Sequence, residues 1–211
     1  FFVGVPSILS STEVGTAQVL DNGSNGLKEE ELESASFDTT QFDTSPVNII
    51  LNNGITKIGI LNKLLAKCNQ VYKHVFIGTP YFGTYEETQD WVNQLKTGMW
   101  GAAISKPNLV TVGGIEIPLC PSLYYGEIYY TMMQQNGNLR YPPAGYTTGL
   151  ITVEKLGETD FDLYADELKT GRINYAVSST SGTCVWEQRT LAPASTEGSY
   201  IAPVFIVEDL R

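Results

Sequence analysis

Four carboxylates lie close together in the second half of the chain and could support acid–base or metal chemistry. They are Asp160, Asp162, Asp166 and Glu167. Paired carboxylates cleave glycosidic bonds, and carboxylate clusters bind divalent cations. The same residues have the spacing of a helix, and acids in a first helical turn complement the helix dipole. We favour this structural interpretation; a carbohydrate-active or other hydrolase acting through segment 160–167 is the alternative function.

Nucleophilic catalysis has little support in the sequence. His74 is the only histidine among 211 residues, and it lies within the apolar run HVFIGT. The cysteines Cys68, Cys120 and Cys184 are far apart and form no CxxC pair, a pattern typical of buried, reduced thiols. No glycine-rich stretch has the GxxxxGK[ST] or GxGxxG spacing of a nucleotide site. The sequence therefore predicts a non-enzyme with no cofactor and no metal, in which His74 is a core or boundary residue.

The charge of the chain is strongly negative and unevenly placed. The net charge is −10, and residues 1–45 contain eight acids and one lysine, a net charge of −7. Acidic proteins repel phosphate backbones, and no apolar run reaches the length of a membrane span. We therefore expect no nucleic acid and no membrane among the partners. The acids at 29–33 are typical of a solvated face; a sharper hypothesis is that segment 21–43 faces outward or meets the basic surface of a neighbour.

Strands and helices alternate along most of the chain. Apolar periodicity predicts strands at 47–51, 74–79, 100–104, 148–153 and 204–207, helices at 58–68, 84–96, 122–135 and 161–168, and hairpins at 109–117 and 173–186. The helix at 84–96 begins with a capping box formed by Thr84 and Glu87. Together these elements predict an α/β (α+β mixed) fold, with a mixed β-sheet core flanked by helices.

The chain divides into two parts. Residues 1–46 form an acidic N-terminal segment, which we interpret either as part of this domain or as part of another. Its predicted elements are strands at 1–5 and 16–20, a short helix at 27–34 and a Ser/Thr-rich loop. Residues 47–211 form the main domain. The chain begins with strand-like residues and ends on Arg211, which suits a tryptic cut. We therefore interpret it as a fragment of a longer protein.

The main domain is organised around the predicted central helix at 122–135. Pro118 and Pro121 prevent a regular element from running into it, and Ser122 is a good N-cap. Apolar residues cover so much of its circumference that we expect a buried helix between layers. Gly126 inside it would permit close packing.

The flanks of this helix and the segments that follow resemble contractile tail sheath proteins. Pro118 to Ser122 resembles the Val-Pro-Pro-Ser motif before the family's central helix, and Arg140 to Gly145 resembles the Pro-Ala-Gly motif after it. Leu168 with residues 172–174 resembles a Leu-x-x-x-x-Ile-Asn segment, and residues 184–191 resemble Val-Trp-Gly-x-Arg-Thr-Leu. Residues 201–211 resemble a strand before the family's terminal region. Over about residues 69–211, the motif residues are Pro118, Pro121, Ser122, Pro142, Pro143, Ala144, Gly145, Ile173, Asn174, Trp186, Arg189, Thr190 and Leu191.

The resemblance implies a structural virion protein. Sheath subunits of long-tailed bacteriophages polymerise around a tail tube and contract to drive genome delivery, and phage-like bacteriocins and contractile injection systems have related sheaths. The implied partners are other copies in a helical sheath, with the tail tube and baseplate bound through regions missing from this fragment. The implied location is the virion tail, assembled in the host bacterial cytoplasm. Cys120 and Glu187 depart from the motifs, which suggests a divergent member such as one from a large phage.

Overall fold

The computed structural model describes residues 48–158, 164–193, 196 and 198–209. The strands, helix and loop predicted within 1–46 lie outside the described residues. The described elements are β1 (Ile49–Leu51), α1 (Ile58–Val71), β2 (His74–Gly78), α2 (Tyr85–Val92), β3 (Gly101–Ser105), β4 (Asn108–Val112), β5 (Ile115–Leu119), α3 (Ser122–Asn136), α4 (Gly145–Thr148), β6 (Leu150–Ile151), α5 (Ala165–Thr170), β7 (Ile173–Ser179), β8 (Gly182–Trp186) and α6 (Ile201–Asp209).

A six-stranded sheet organises these elements. Its order is β1-β2-β3-β7-β8-β6; the first four strands are parallel, and β8 runs antiparallel to both of its neighbours. The predicted mixed sheet flanked by helices is confirmed, and the β7–β8 hairpin makes it mixed. The β4–β5 hairpin, which the sequence assigns to the same sheet, instead forms a separate two-stranded sheet.

The sheet is covered on both faces because its central strands are apolar on both faces. All five residues of β2 are buried. Val75 and Ile77 pack into a core with α1, α2 and α5, whereas Phe76 packs into a second core with α3 and α6. Alternate side chains of a strand point to opposite faces, so a continuous apolar run requires helices on both sides. The run HVFIGT therefore forms a strand that is buried on both faces.

The start of the central helix differs slightly from the prediction. Helix α3 spans Ser122–Asn136, within one residue of the predicted 122–135. Ser122 is not its N-cap, because Pro121 occupies that position and the Cys120 carbonyl already accepts a bond from the Leu123 amide at 3.2 Å. The buried Ser122 hydroxyl instead lies 3.2 Å from the Cys120 sulfur.

The central helix also has an exposed face. Tyr125 packs its ring 4.2 Å from that of Phe76, and a Cβ on Gly126 would lie 3.1 Å from the Leu51 side chain, so the glycine does permit close packing. On the other side, Tyr130 is 69% exposed and Met133 is 48% exposed. Within the described part of the chain, α3 is therefore an outer helix, and the predicted burial between layers is wrong.

The last predicted strand, at 204–207, is also wrong, because residues Ile201–Asp209 form helix α6. The strand implied by the resemblance at 201–211 is wrong for the same reason. Ile201, Val204 and Phe205 are buried at a spacing of three and four residues, the period of a helix face. A short apolar run such as VFIV does not by itself distinguish a buried strand from a buried helix.

Three other elements have bounds that differ from the predicted ones. Helix α2 ends at Val92 rather than near Lys96, because the next residues form tight turns in which Leu95 donates to the Val92 carbonyl at 3.0 Å. Strand β6 contains only Leu150–Ile151, because Gly145–Thr148 form helix α4. Helix α5 begins at Ala165, and residues 161–163 of the predicted acidic helix lie outside the described residues.

The end of β2 lies directly beneath the start of α3. A Cβ on Gly78 would lie 2.6 Å from both the Cys120 sulfur and the Ser122 backbone nitrogen. Asn52 fixes the same point, because its Nδ2 donates to the Gly78 carbonyl at 3.0 Å and its Oδ1 accepts from the Gly78 amide at 2.9 Å. The junction between β5 and α3 can therefore reach the sheet only where the strand carries no side chain.

His74 is a core residue, as the sequence predicts. It is 2% exposed, and its ring lies 3.8 Å from that of Phe205 and 4.8 Å from that of Trp100. Burial lowers the pKa of His74 from 6.5 to about 3. The imidazole is therefore neutral at physiological pH and acts as an aromatic packing residue.

The close approach at Gly78 predicts a large cost for a single methyl group. We expect Gly78→Ala to lower the free energy of unfolding by about 2–3 kcal/mol, because the nearest atoms include rigid backbone. Gly83→Ala is the matched control, since a Cβ there meets nothing within 4 Å and should change stability by less than about 0.5 kcal/mol. Urea unfolding followed by circular dichroism measures both; equal stabilities would contradict the packing described.

The lowered pKa of His74 predicts a pH-dependent loss of stability. The unfolded chain takes up a proton near pH 6.5 and the folded chain only near pH 3, so the stabilisation is fully present above pH 6.5 and is lost as the pH falls toward 3. Between pH 7.5 and pH 5, we expect the wild type to lose about 2 kcal/mol relative to His74→Phe. Urea unfolding of both proteins at each pH measures this difference, and a difference independent of pH would show that His74 takes up its proton as readily in the folded protein as in the unfolded chain.

Candidate functional site

The β4–β5 hairpin stands apart from the main sheet. Its two-residue turn consists of Gly113 and Gly114, whose φ angles of 58° and 83° match a type I′ turn. The strands pair in register from Asn108↔Leu119 to Val112↔Ile115. The hairpin predicted at 109–117 is therefore confirmed, although its place in the fold is not the predicted one.

One face of this hairpin is apolar and exposed. We call it the hairpin face, and its members are Val110, Val112, Ile115, Ile117 and Leu119. Val112 is 57% exposed and Ile115 68%, Ile117 is 41% exposed and Leu119 37%, while Val110 is half-buried. Single exposed apolar residues are normal on a protein surface, but a contiguous group on a projecting element is typical of an interaction site.

The opposite side of the hairpin is attached to the domain. The Leu109 amide donates to the Lys155 carbonyl at 2.7 Å, and the Thr111 amide donates to the Glu154 carboxylate at 3.0 Å. The Lys155 amine lies 2.9 Å from the Glu116 carboxylate. The two amide bonds occupy the outer edge of β4, whereas the outer edge of β5 has no partner strand among residues 48–158, 164–193 and 198–209. The hairpin thus offers both an apolar face and an open strand edge.

The hairpin face continues into a small cleft at the base of α3. The cleft has a volume of about 70 Å³ and is lined in part by Leu119, Cys120, Leu123 and Tyr124. The Cys120 thiol donates to the Asn52 side-chain oxygen at 3.3 Å. Leu123 is 40% exposed and extends the apolar surface from the hairpin toward the helix.

The motif residues that flank the central helix lie at its two ends. Pro118, in β5, is exposed, whereas Pro121 and Ser122 are buried against the end of β2. At the other end, the Thr148 hydroxyl donates to the Pro142 carbonyl. In the rest of this second group, Pro143 is buried, Ala144 is extended, and Gly145 has a φ of 78°. Both groups direct the chain into and out of helices.

Except for Trp186, the remaining motif residues lie around Asn174, which is fully buried in β7. Its Nδ2 donates to the Ala103 and Arg189 carbonyls, both at 2.8 Å, and its Oδ1 accepts from the Arg189 amide at 2.6 Å. The Leu191 amide then donates to the Gly101 carbonyl at 2.7 Å. One side chain therefore ties the segment after β8 to β3 and β7. Ile173 is buried beside it in the core below.

The same segment positions α6. The Arg189 guanidinium lies 4.2 Å above the Tyr200 ring, and the Thr190 amide donates to the Ser199 carbonyl at 3.1 Å. The Ile201 amide donates to the Gln188 carbonyl at 2.9 Å. Trp186 stands apart from this group: it is 38% exposed and packs 5.9 Å from the ring of Tyr146.

Of the acidic residues considered as a hydrolase site, the two that the structure describes, Asp166 and Glu167, do not face each other across a cleft. Asp166 and Glu167 are exposed and line an open cleft of about 550 Å³ between α2 and α5, whereas Asp160 and Asp162 lie outside the described residues. Neighbouring helical side chains diverge by about 100°, so this pair cannot flank one bond as the carboxylates of a glycosidase do. The Tyr85 hydroxyl in the cleft donates to the Glu167 carbonyl at 3.2 Å. The hydrolase alternative gains no support from this geometry.

Metal-ligand clusters and membrane-length helices are both absent from the described residues. No cluster of three His, Cys, Asp or Glu side chains within residues 48–158, 164–193 and 198–209 could hold a metal ion. No helix in the same part of the chain combines the length and apolar character needed to cross a membrane. Cys68 and Cys184 are buried and Cys120 is half-buried, all three as free thiols, and burial raises the pKa of Cys68 to about 12.

Sequence reasoning missed two features of this region. Asn52 follows the predicted strand at 47–51 and belongs to no motif, yet it joins the Gly78 backbone to the Cys120 thiol. The hairpin face had a visible signal, because Ile115-Glu116-Ile117 alternates between apolar and acidic residues. Alternation predicts that one face is apolar, but not whether that face meets the core or the solvent.

The comparisons with known proteins establish the fold. No protein-family model matches the sequence, and no curated protein matches it. The helical sheath of the anti-feeding prophage in its contracted state matches with a TM-score of 0.56 and 17% identity, over 72% of this chain and 40% of that one. The sheath complex of PVC, an extracellular contractile injection system, in its contracted state matches with a TM-score of 0.56 and 17% identity, over 85% of this chain and 47% of that one.

A baseplate structure of the anti-feeding prophage matches as well, with a TM-score of 0.53 and 15% identity, over 72% of this chain and 39% of that one. The chain has a contractile-sheath fold. The resemblance inferred from the sequence motifs is thus confirmed at the level of fold. The chain spans less than half the length of each of these chains.

The bonds of Asn174 predict a large effect of its removal. We expect Asn174→Ala to lower the free energy of unfolding by about 3–5 kcal/mol, because buried backbone groups of Ala103 and Arg189 lose their partners. The exposed Asn136→Ala should cost less than about 1 kcal/mol. Thermal and urea unfolding measure both variants; a cost for Asn174→Ala no larger than that of the control would show that these bonds do not hold the sheet together.

Proposed function

We propose that this chain is part of a subunit of a contractile sheath, a structural protein that polymerises around a tail tube. The observation that carries the proposal is the fold, which the chain shares with the contracted sheaths of two injection systems. Contraction of the polymer drives the tube, and with it a genome or another cargo, into the target cell. In this role the protein is not an enzyme and needs no cofactor.

The described domain meets the physical requirements of such a subunit. A sheath that changes between two lattices needs rigid bodies that exchange neighbours, because contraction is a repacking at interfaces. The sheet is buried on both faces between two cores, which gives a rigid body. The energy of contraction is then stored in the contacts between subunits.

The hairpin face is where we place a second copy of the chain. It is apolar and free of charged side chains, as the centres of protein interfaces are. Its strand β5 has an open edge in the described part of the chain and can accept a strand from a neighbour. The hairpin projects from the domain, so neighbours can exchange there without disturbing either core.

Other parts of the proposal rest on the fold alone. The tail tube and the baseplate bind through parts of the protein outside this chain. The working location is the tail of a virion or a related injection particle, assembled in the cytoplasm of the producing bacterium. The motif residues around α3 and Asn174 serve the fold and form no site for a ligand.

Assembly of the full-length protein tests the hairpin face. We expect Ile115→Lys combined with Ile117→Lys to raise the concentration needed for tube formation at least tenfold, because two charges would be buried at the contact. Negative-stain electron microscopy over a concentration series measures this threshold. Thr111→Lys is the matched control, since Thr111 is exposed on the other face of the same hairpin and its variant should assemble like the wild type.

The outcomes separate two failures. If the wild type forms tubes and the double variant forms them at the same concentration, the hairpin face is not the interface, but the sheath function stands. If the wild type forms no tubes while remaining folded, the sheath function itself is wrong. Circular dichroism of each variant confirms that the domain is folded.

A further inference from the structure

The open cleft between α2 and α5 contains a half-buried arginine. The cleft has a volume of about 550 Å³, and its walls are polar. Gln89 and Asn93 lie at the end of α2, Thr170 ends α5, and Arg172 follows that helix. A volume of this size accommodates a small ligand or a short peptide segment. The contacts assigned above to sheath assembly do not involve it.

Hydrogen bonds fix the α2 wall of this cleft. The Gln89 Nε2 donates to the Asn93 Oδ1 at 3.0 Å and to the Gly171 carbonyl at 3.4 Å. A Cβ on Gly171 would collide with the Gln89 side chain, so glycine lets α5 end this close to α2. Because Gln89 holds the Asn93 oxygen, the Asn93 Nδ2 is left as a donor in the cleft that no acceptor in the described part of the chain uses.

Arg172 has a backbone conformation that usually belongs to glycine. Its φ is 63°, at the position that follows the C-cap of α5. Helices commonly end on a left-handed residue at this position, and glycine is preferred because other residues are strained there. The glycine of this turn is instead Gly171, which is right-handed with a φ of −73°. The backbone therefore gains nothing from an arginine at 172, and any advantage of this residue lies in its side chain.

The protein satisfies the Arg172 guanidinium only in part. Its Nη1 donates to the Leu191 carbonyl at 2.8 Å, which is its one hydrogen bond to the residues that the structure describes. Burial lowers the pKa of this guanidinium below its usual value, and no described carboxylate lies close enough to oppose the shift. A guanidinium has five N–H donors, so most of them are left for water or for a ligand.

Two carboxylates on the α5 side restrict which anions can enter the cleft. Asp166 and Glu167 line it and are exposed, and neither forms an ion pair with Arg172. Because they face solvent, salt screens their charges in part. They repel a ligand with several negative charges, whereas a single carboxylate on a neutral segment can be held by Arg172.

We propose that this cleft binds a single carboxylate, either the acidic side chain of a peptide segment or a small monocarboxylate, with the Arg172 guanidinium as its anchor. A guanidinium can donate two parallel bonds to one carboxylate, and the Asn93 Nδ2 is a further donor in the same cleft. The pairing offsets the desolvation of a cation that the fold leaves half-buried. This site does not depend on assembly of the protein into a sheath.

Nuclear magnetic resonance of the full-length protein labelled with ¹⁵N-arginine tests the site. The probes are the blocked tripeptide Gly-Glu-Gly, its neutral counterpart Gly-Gln-Gly, and acetate. We expect the glutamate peptide to shift the Nε–Hε signal of Arg172 saturably and the glutamine peptide to bind at least tenfold more weakly. Acetate that binds as tightly as the glutamate peptide would identify a small monocarboxylate as the ligand, and acetate at least tenfold weaker would identify a peptide segment. Equal shifts with the two peptides, or none with any probe, would overturn the proposal.

Three variants separate the site from the general charge and from the stability of the domain. Arg172→Gln should weaken binding of the glutamate peptide at least tenfold, measured on the backbone amide signals of the cleft. Asn93→Asp keeps the oxygen that accepts from Gln89 and adds a negative charge, so it should weaken binding at least threefold in a domain that unfolds like the wild type. Lys169→Gln removes an exposed cation of α5 that does not line the cleft, and should change the affinity less than twofold. Equal losses in Arg172→Gln and Lys169→Gln, or none in Asn93→Asp, would contradict the proposed site.

Discussion

Burial of the parallel strands on both faces is the constraint on which the rest of this structure depends. Every residue of β2 and β3 is buried, so the chain must supply helices to both sides of the sheet. Helices α1, α2 and α5 cover one face, and α3 and α6 cover the other. Segments that cross the sheet must come close to its backbone, which explains the glycine at position 78. They must also supply hydrogen-bond partners for buried backbone groups, which explains the buried side-chain amides of Asn52 and Asn174.

The sequence predicts those parts of the fold that depend on local pattern. The all-apolar β2, the amphipathic α1 and the glycine turn of the β4–β5 hairpin carry their signals in neighbouring residues. The strand predicted at 204–207 is wrong because four apolar residues fit a strand or a helix equally well. Only the packing of this segment on the sheet determines that it is a helix. The sheet to which the β4–β5 hairpin belongs is predicted wrongly because the sequence of a hairpin does not show which distant strand it pairs with. The predicted burial of α3 between layers is wrong because apolar composition does not show whether a helix is covered on one side or on both.

The candidate site was predictable only in part for the same reasons. Motif order pointed to the sheath fold, but the bonds of Asn174 to Arg189 join residues whose partnership depends on the completed sheet. Functionally, the structure separates two tasks. Two cores and their buried amides hold the domain rigid, while the hairpin face projects beyond them. A body of this kind can change its neighbours without changing its own fold, which is the property that a contracting lattice requires.

The most direct test of the sheath function is negative-stain electron microscopy of the full-length protein across a range of salt and protein concentrations. The proposed function predicts regular hollow tubes with a helical repeat, in which this domain recurs once per subunit. A folded protein that stays monodisperse under all of these conditions, and also in the presence of a tail tube, would contradict it.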